Sequence, residues 1–211
     1  MVQHLSLALE EYILATSSPE SPLLKNLRHE TTHTIGMGNM LCGPIEGMLL
    51  QLLVKLSGAK LCLELGTFTG YSALQIAAGL PVEGKLITCE VEPIHAAFAK
   101  RYFDKSPHGH KIEIRLGEAQ QTILELNHDF DFIFIDADKA NYPLYYDLLI
   151  PKLKSKGLMV VDNALWRGEV VTPNNARAKA IDALNQKARN DNRVQTLMLP
   201  IRDGMLVISK L

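Results

Sequence analysis

The chain has no uninterrupted apolar run of ~18 residues, the length that a membrane-spanning helix needs. Its opening stretch, MVQHLSLALEEYILATSSPE, sets acids among the apolar positions and puts no charged leader before them, so neither membrane insertion nor export is expected. Cysteine is scarce: Cys42, Cys62 and Cys89 are odd in number and show no CxxC spacing, which speaks against a disulfide framework. Cys62 and Cys89 fall inside predicted strands and read as reduced core residues of a cytoplasmic protein. Excess charge of either sign is also missing. A formal net charge of −1 gives no global pull toward nucleic acid or an anionic membrane, so small neutral or mildly charged partners come first. No internal repeat, low-complexity tract or long linker divides the chain.

What is present is an ordinary globular composition, 47% hydrophobic and 21% charged over 211 residues. A chain of this length buries about 70% of the surface that its unfolded form exposes. One domain over 1–211 is expected, with N-terminal helices in 1–58 and a core in 59–211. Residues 3–15 carry apolar positions at helical spacing, TSSPESP breaks the chain before a second helix, and Pro44 and Gly58 bracket a third. From residue 60 strands and helices alternate: strands at 60–65, 84–90, 111–117, 130–137 and 157–163, helices at 71–80, 93–105, 119–127, 142–153 and 175–190. Such alternation implies a parallel sheet covered on both faces, and the apolar runs FIFI and LMVV suit its central strands. The last two strands, 193–200 and 204–211, are joined by IRDG, too short for a crossover, so they pair antiparallel. The expected fold is α/β, a mostly parallel seven-stranded sheet with an antiparallel terminal hairpin and extra N-terminal helices.

Three loops at strand ends carry the polar residues. ELGTFTG follows the first strand, with Gly66 and Gly70 allowing backbone N–H groups to approach a ligand at a helix start. It lacks both G-x-G-x-x-G and a Lys-Ser/Thr pair, and Glu64 would repel phosphate while suiting a cationic amino-acid moiety. Glu90 ends the second strand, where an acid accepts the two hydroxyls of an adenosine ribose; the alternative is a solvated strand end. Ala119, in GEAQ after the third strand, would give an adenine a small, flat neighbour.

Together ELGTFTGYS, DFIFIDADKANY, VVDNALWRGEV and DGMLVISK resemble the class I S-adenosylmethionine-dependent methyltransferases, and within them the cation-dependent O-methyltransferases of caffeoyl-CoA and catechols. The resemblance covers nearly the whole chain and implies a Rossmann-like core. It implies that Glu64, Gly66, Thr67, Ser72, Glu90, Ala119, Asp136 and Asp138 line a pocket for S-adenosylmethionine. Met40 and Cys42 would stand beside it. Asp136, Asp162 and Asn163 would hold a divalent cation, Mg²⁺ first with Ca²⁺ or Mn²⁺ as alternatives. The oxygen-only donor set suits a hard cation and not Zn²⁺.

A bound dication would favour the deprotonated form of an aromatic diol, with Lys139 placed to take or screen the proton and Asp136 sharing the catalytic role. Alone, Asp136 reads as a strand-end cap and Lys139 as a solvated lysine. Met40, Trp166 and Arg167 would wall the acceptor, with Trp166 alternatively anchoring its loop. The implied partners are a small vicinal dihydroxy aromatic and a second copy of the chain. Methylation of a hydroxylated uridine in transfer RNA is the alternative reaction, and a non-catalytic cofactor-binding module the alternative of another class. His108 and His110 read as surface histidines ahead of the third strand. Lys152, Lys154 and Lys156 read as a solvated helix face.

Overall fold

The two most apolar runs of the chain form the middle of the sheet. Phe130–Ile135 is strand β4 and Leu153–Val161 is β5, and both are buried along their carboxyl halves because helices cover both faces. The computed structural model describes residues 6–211. Its other strands are β1 (Leu61–Leu65), β2 (Lys85–Glu90), β3 (Ile112–Leu116), β6 (Val194–Leu199) and β7 (Met205–Lys210). They form one seven-stranded sheet in the order β3-β2-β1-β4-β5-β7-β6. Strands β1 to β5 pair in parallel, and β7 runs antiparallel to both β5 and β6. The order reverses between β1 and β4, so their carboxyl ends open the crevice where ligands of such sheets bind.

One face is covered by α2 (Pro22–Glu30), α3 (Pro44–Ser57), α4 (Tyr71–Gly79) and α5 (Pro93–Phe103), which pack Leu27, Leu50, Ile76 and Phe98 with Phe132 and Phe134. The other carries α6 (Ala119–Glu125), α7 (Tyr142–Leu149) and α8 (Ala176–Asn190), which pack Ile123, Tyr146 and Ile181 with Ile133 and Ile135. The alternation of side chains along β4 divides these two cores.

The first helix, α1, spans Leu7–Thr16. Positions 3–5 of its expected range lie outside the described residues. Pro44 opens α3 and Gly58 closes it in a left-handed conformation, φ 68°. Two expectations need correction. The seventh helix ends at Leu149, not at residue 153, because Pro151 offers no N–H to continue it, and β5 starts at Leu153. Lys154 and Lys156 therefore lie in a strand, and Lys154 pairs with Asp131 (2.8 Å). Beyond α2 the chain also adds a π-helical turn, Thr31–Ile35, that apolar spacing did not foretell. The segment Gly38–Ser57 is long and apolar enough by composition to cross a membrane. It is not one helix, because the backbone is extended at Leu41 and Gly43.

Candidate active site at the carboxyl edge of the sheet

Backbone contact between β1 and β4 sets the centre of the site. Gly66 has φ 97°, and a Cβ placed there would lie 2.1 Å from the Asp136 carbonyl oxygen. The Gly66 and Thr67 N–H groups both donate to the Cys89 carbonyl (3.1 and 3.0 Å). The glycine thus serves strand-to-strand approach, and its amide is not offered to a ligand as the sequence suggested. Gly70, φ 90°, faces Phe103, whose ring would be 2.5 Å from a Cβ there. It lets the start of α4 press against α5.

Glu64 is fully buried in β1. Its Oε2 accepts from the Thr88 hydroxyl (2.6 Å), which contacts the Thr67 hydroxyl (2.6 Å). Its Oε1 has no hydrogen-bond partner among the described residues. Burial pushes the Glu64 carboxyl up to about 8, against the pull of the Ser72 and Thr88 hydroxyls. An orphaned carboxylate oxygen in the interior is costly unless a ligand brings it a donor, and an ammonium group fits that need. Ser72 is buried in the first turn of α4.

Glu90 is not a solvated strand end. It is 7% exposed, and it accepts N–H bonds from Phe68 (2.6 Å), Val91 (3.0 Å) and Glu92 (2.9 Å). Those amides fix the carboxylate in place and leave it acceptor capacity for hydroxyl groups. Gly117 N–H bonds the Glu90 carbonyl (2.8 Å), which brings the loop before α6 alongside, and Ala119 is half-buried at the first position of α6. Asp138 is exposed and bonded by Asn141 Nδ2 (2.6 Å) and the Tyr145 hydroxyl. Burial, followed by the bond to Asp138 and the charges of Asp138 and Glu118, pushes the Tyr145 hydroxyl up.

The second cluster joins the ends of β4 and β5. Lys139 Nζ donates to Asp136 Oδ1 (2.7 Å) and to the Tyr142 hydroxyl (2.8 Å), and that hydroxyl donates to the Asp162 carbonyl (3.1 Å). Asp162 is 3% exposed and accepts the Asn163 N–H at Oδ1 (2.7 Å). Burial, followed by the negative charges of Asp136 and Glu46, holds the Asp162 carboxyl well above the usual carboxylate range. A cation brought to these two carboxyl groups would relieve the cost of ionising Asp162, and carboxylate oxygens match a hard divalent cation. Among the described residues no three His, Cys, Asp or Glu side chains form a ligand group.

Cys42 is buried near the same charges: burial pushes its thiol up, and Glu46, Asp162 and Asp136 add to the rise. Met40 is 53% exposed, at the end of a short 3-10 turn. Asn163, Trp166 and Arg167 all have positive φ, 56°, 44° and 54°, so the loop after β5 turns sharply at each. It is held by Asn185 Nδ2, which donates to the Ala164 carbonyl (2.8 Å), and by the turn before β7.

Sequence expectations passed over two features. His29-Glu30-Thr31-Thr32-His33 has the H-E-x-x-H spacing of helix-borne zinc sites. Here the two rings stack at 4.0 Å, His33 Nδ1 lies 2.7 Å from the His29 carbonyl, and Glu30 is taken by Arg101 (2.7 Å) and Tyr102 (2.6 Å). The ion pair of buried Glu46 with exposed Arg202 is the other, and no local pattern marks it.

A family model described as O-methyltransferase matches residues 14–211. The chain is 36% identical over 210 residues to "Catechol O-methyltransferase domain-containing protein 1" of Mus musculus, covering 96% of this chain and 80% of that protein. It is 36% identical over 215 residues to "Caffeoyl-CoA O-methyltransferase 1" of Zea mays, covering 93% and 82%. Among solved structures it is similar to the O-methyltransferase from Bacillus cereus in complex with SAH, with a TM-score of 0.90, 28% identity and 97% of each chain covered.

Proposed function

The chain belongs to the O-methyltransferase family and is an S-adenosylmethionine-dependent O-methyltransferase; on that premise we propose that it methylates one hydroxyl of a vicinal dihydroxy aromatic in a divalent-cation-dependent reaction. The observation that carries the proposal is the meeting, across Gly66, of an orphaned Glu64 oxygen and a charge-rich Asp136, Asp162, Asn163 set.

Glu64, with Ser72 beside it, would receive the ammonium of the cofactor, Glu90 its ribose hydroxyls, and Ala119 and Asp138 its adenine side. Gly66, Thr67, Met40 and Cys42 complete that wall. The cofactor supplies an electrophilic methyl group. Asp136, Asp162 and Asn163 would hold Mg²⁺, with Ca²⁺ or Mn²⁺ as alternatives, and a cation there would favour the deprotonated phenol. In the transfer the C–O bond forms as the C–S bond of the sulfonium breaks. Lys139, bonded to Asp136, would take or screen the phenolic proton. Met40, Trp166 and Arg167 would wall the acceptor and orient it in line, and such positioning supplies much of the rate.

A homodimer belongs to the same proposal: α1 buries no residue and leaves Leu7, Leu9, Tyr12 and Leu14 exposed, an apolar surface that a second copy would cover. Three free cysteines suit a cytoplasmic setting. The test offers catechol, a caffeoyl thioester and bulk transfer RNA with labelled S-adenosylmethionine, each with and without Mg²⁺. Label on a diol only when Mg²⁺ is present supports the proposal. Label on transfer RNA alone overturns it.

A further inference from the structure

Arg202 lies in the turn between β6 and β7 with φ 46°, a left-handed conformation that a glycine adopts freely and an arginine does not. Its side chain has a defined task. Nη1 donates to the Glu46 carboxylate and to the Leu41 carbonyl (2.9 Å). Glu46, 1% exposed near the start of α3, also accepts the Gly43 N–H (2.6 Å). Space at this clamp is tight, because a Cβ at Gly43 would lie 3.2 Å from Glu46 Oε2 and 3.4 Å from Arg202 Cδ.

On its other side the same turn is fastened to the loop after β5. The Gly204 carbonyl accepts the Ala164 N–H (2.9 Å), and the Asp203 carbonyl accepts the Leu165 N–H (2.8 Å). The Asp203 carboxylate accepts the Arg167 N–H. A Cβ at Gly204 would lie 2.4 Å from Leu165 Cγ, so turn and loop touch without a side chain between them. A continuous line of contacts therefore runs from Leu41 and Gly43 through Glu46 and Arg202 to the Trp166 loop. Met40 and Trp166, at its two ends, are both among the residues assigned to the acceptor pocket.

We infer that Arg202, clamped by Glu46, is a positioning residue that ties the N-terminal wall of the acceptor pocket to the Trp166 loop and thereby sets acceptor affinity. The inference rests on the proposed transfer to a small acceptor held between those walls. It concerns neither the reacting atoms nor the cofactor. A charge-assisted hydrogen bond to a buried carboxylate is strong enough to hold such a loop, and its loss leaves Glu46 without its cation.

Trp166 is the only tryptophan in the chain, so its fluorescence reports on the loop directly. Arg202→Gly relaxes the backbone but leaves Glu46 buried without its cation, so the variant is expected to fold with a Tm lowered by a few degrees. Its Trp166 emission should become about twofold more sensitive to acrylamide quenching, as a locally opened loop would be. The KM for catechol should rise about tenfold, with kcat and cofactor Kd within about twofold of the wild type. Glu46→Gln should shift the quenching in the same direction, and Arg202→Lys, which keeps a cation in reach of Glu46, should restore both readouts. Unchanged quenching in Arg202→Gly, or no rescue by lysine, overturns the inference. If the wild type does not methylate catechol, that failure falls on the proposed acceptor, and the quenching series still decides the clamp.

Discussion

Two pairs of carboxylates stand side by side at the carboxyl edge of the sheet, and the fold prepares them differently. Glu64 and Glu90, at the ends of β1 and β2, are held by hydroxyl and amide donors of the chain itself, with one oxygen of Glu64 left open. At the ends of β4 and β5, burial and the charge of Asp136 hold the Asp162 carboxyl above its usual range, and Lys139 is bonded to Asp136. The first pair is shaped to receive a ligand that brings hydrogen-bond donors. In the proposed reaction the second would take a ligand that brings positive charge. Gly66 lies where the two halves touch, its backbone against the Asp136 carbonyl.

Asp136→Ala should break the contrast most severely. It removes a charge from the second pair only, so methyl transfer should fall by on the order of 10³-fold or more, with cofactor Kd within about threefold. Initial rates together with calorimetric titration of S-adenosylmethionine would check this. Comparable losses in rate and cofactor affinity would mean that the halves do not divide the work. Gly66→Ala should damage both at once, because the new Cβ must displace the Asp136 backbone and the residue must keep φ 97°. A loss of about 2–4 kcal/mol in unfolding free energy is expected from denaturant titration.

Glu64→Gln sharpens the first half. Cofactor affinity should fall about 30-fold, the loss of one charged contact, while divalent-cation affinity is unchanged. The burial of Glu64 also sets a pH dependence. The Glu64 carboxyl is raised to about 8 in the fold, so the cofactor-free protein keeps this proton as pH rises through the unfolded carboxylate range and loses stability progressively up to about 8. Below the unfolded pKa both states bind the proton and the term vanishes. Relative to wild type, Glu64→Gln should therefore gain on the order of 1 kcal/mol per pH unit between about 5 and 8. A flat difference across that window would place the burial of Glu64 in error.

The local part of this organisation was readable in the sequence. FIFI and LMVV named the central strands, and Asp136, Asp162 and Asn163 could be placed at one edge because consecutive strands of a parallel unit are neighbours. Helix stops at Pro151 and Gly58 both follow from backbone chemistry, although apolar spacing alone carries the helix past Pro151. Gly66 was visible as a glycine needed for close approach, but the partner is the Asp136 carbonyl, and a partner across the sheet has no local signal. The same limit hid Glu46 and Arg202, whose contact spans 156 positions of chain. Nor does Arg202 announce a left-handed turn, since Asp203-Gly204 beside it already reads as one. The H-E-T-T-H spacing is the opposite case, a local signal whose residues the fold uses otherwise: the two rings stack, and Glu30 is bonded by Arg101 and Tyr102.

The central claim is that the second carboxylate pair works through a divalent cation, and the most direct measurement is methyl transfer to catechol by the full chain after exhaustive chelation and dialysis. The account predicts a rate at background that returns on adding Mg²⁺, and no such return in Asp136→Ala. A metal-depleted protein that methylates catechol at its original rate would contradict it.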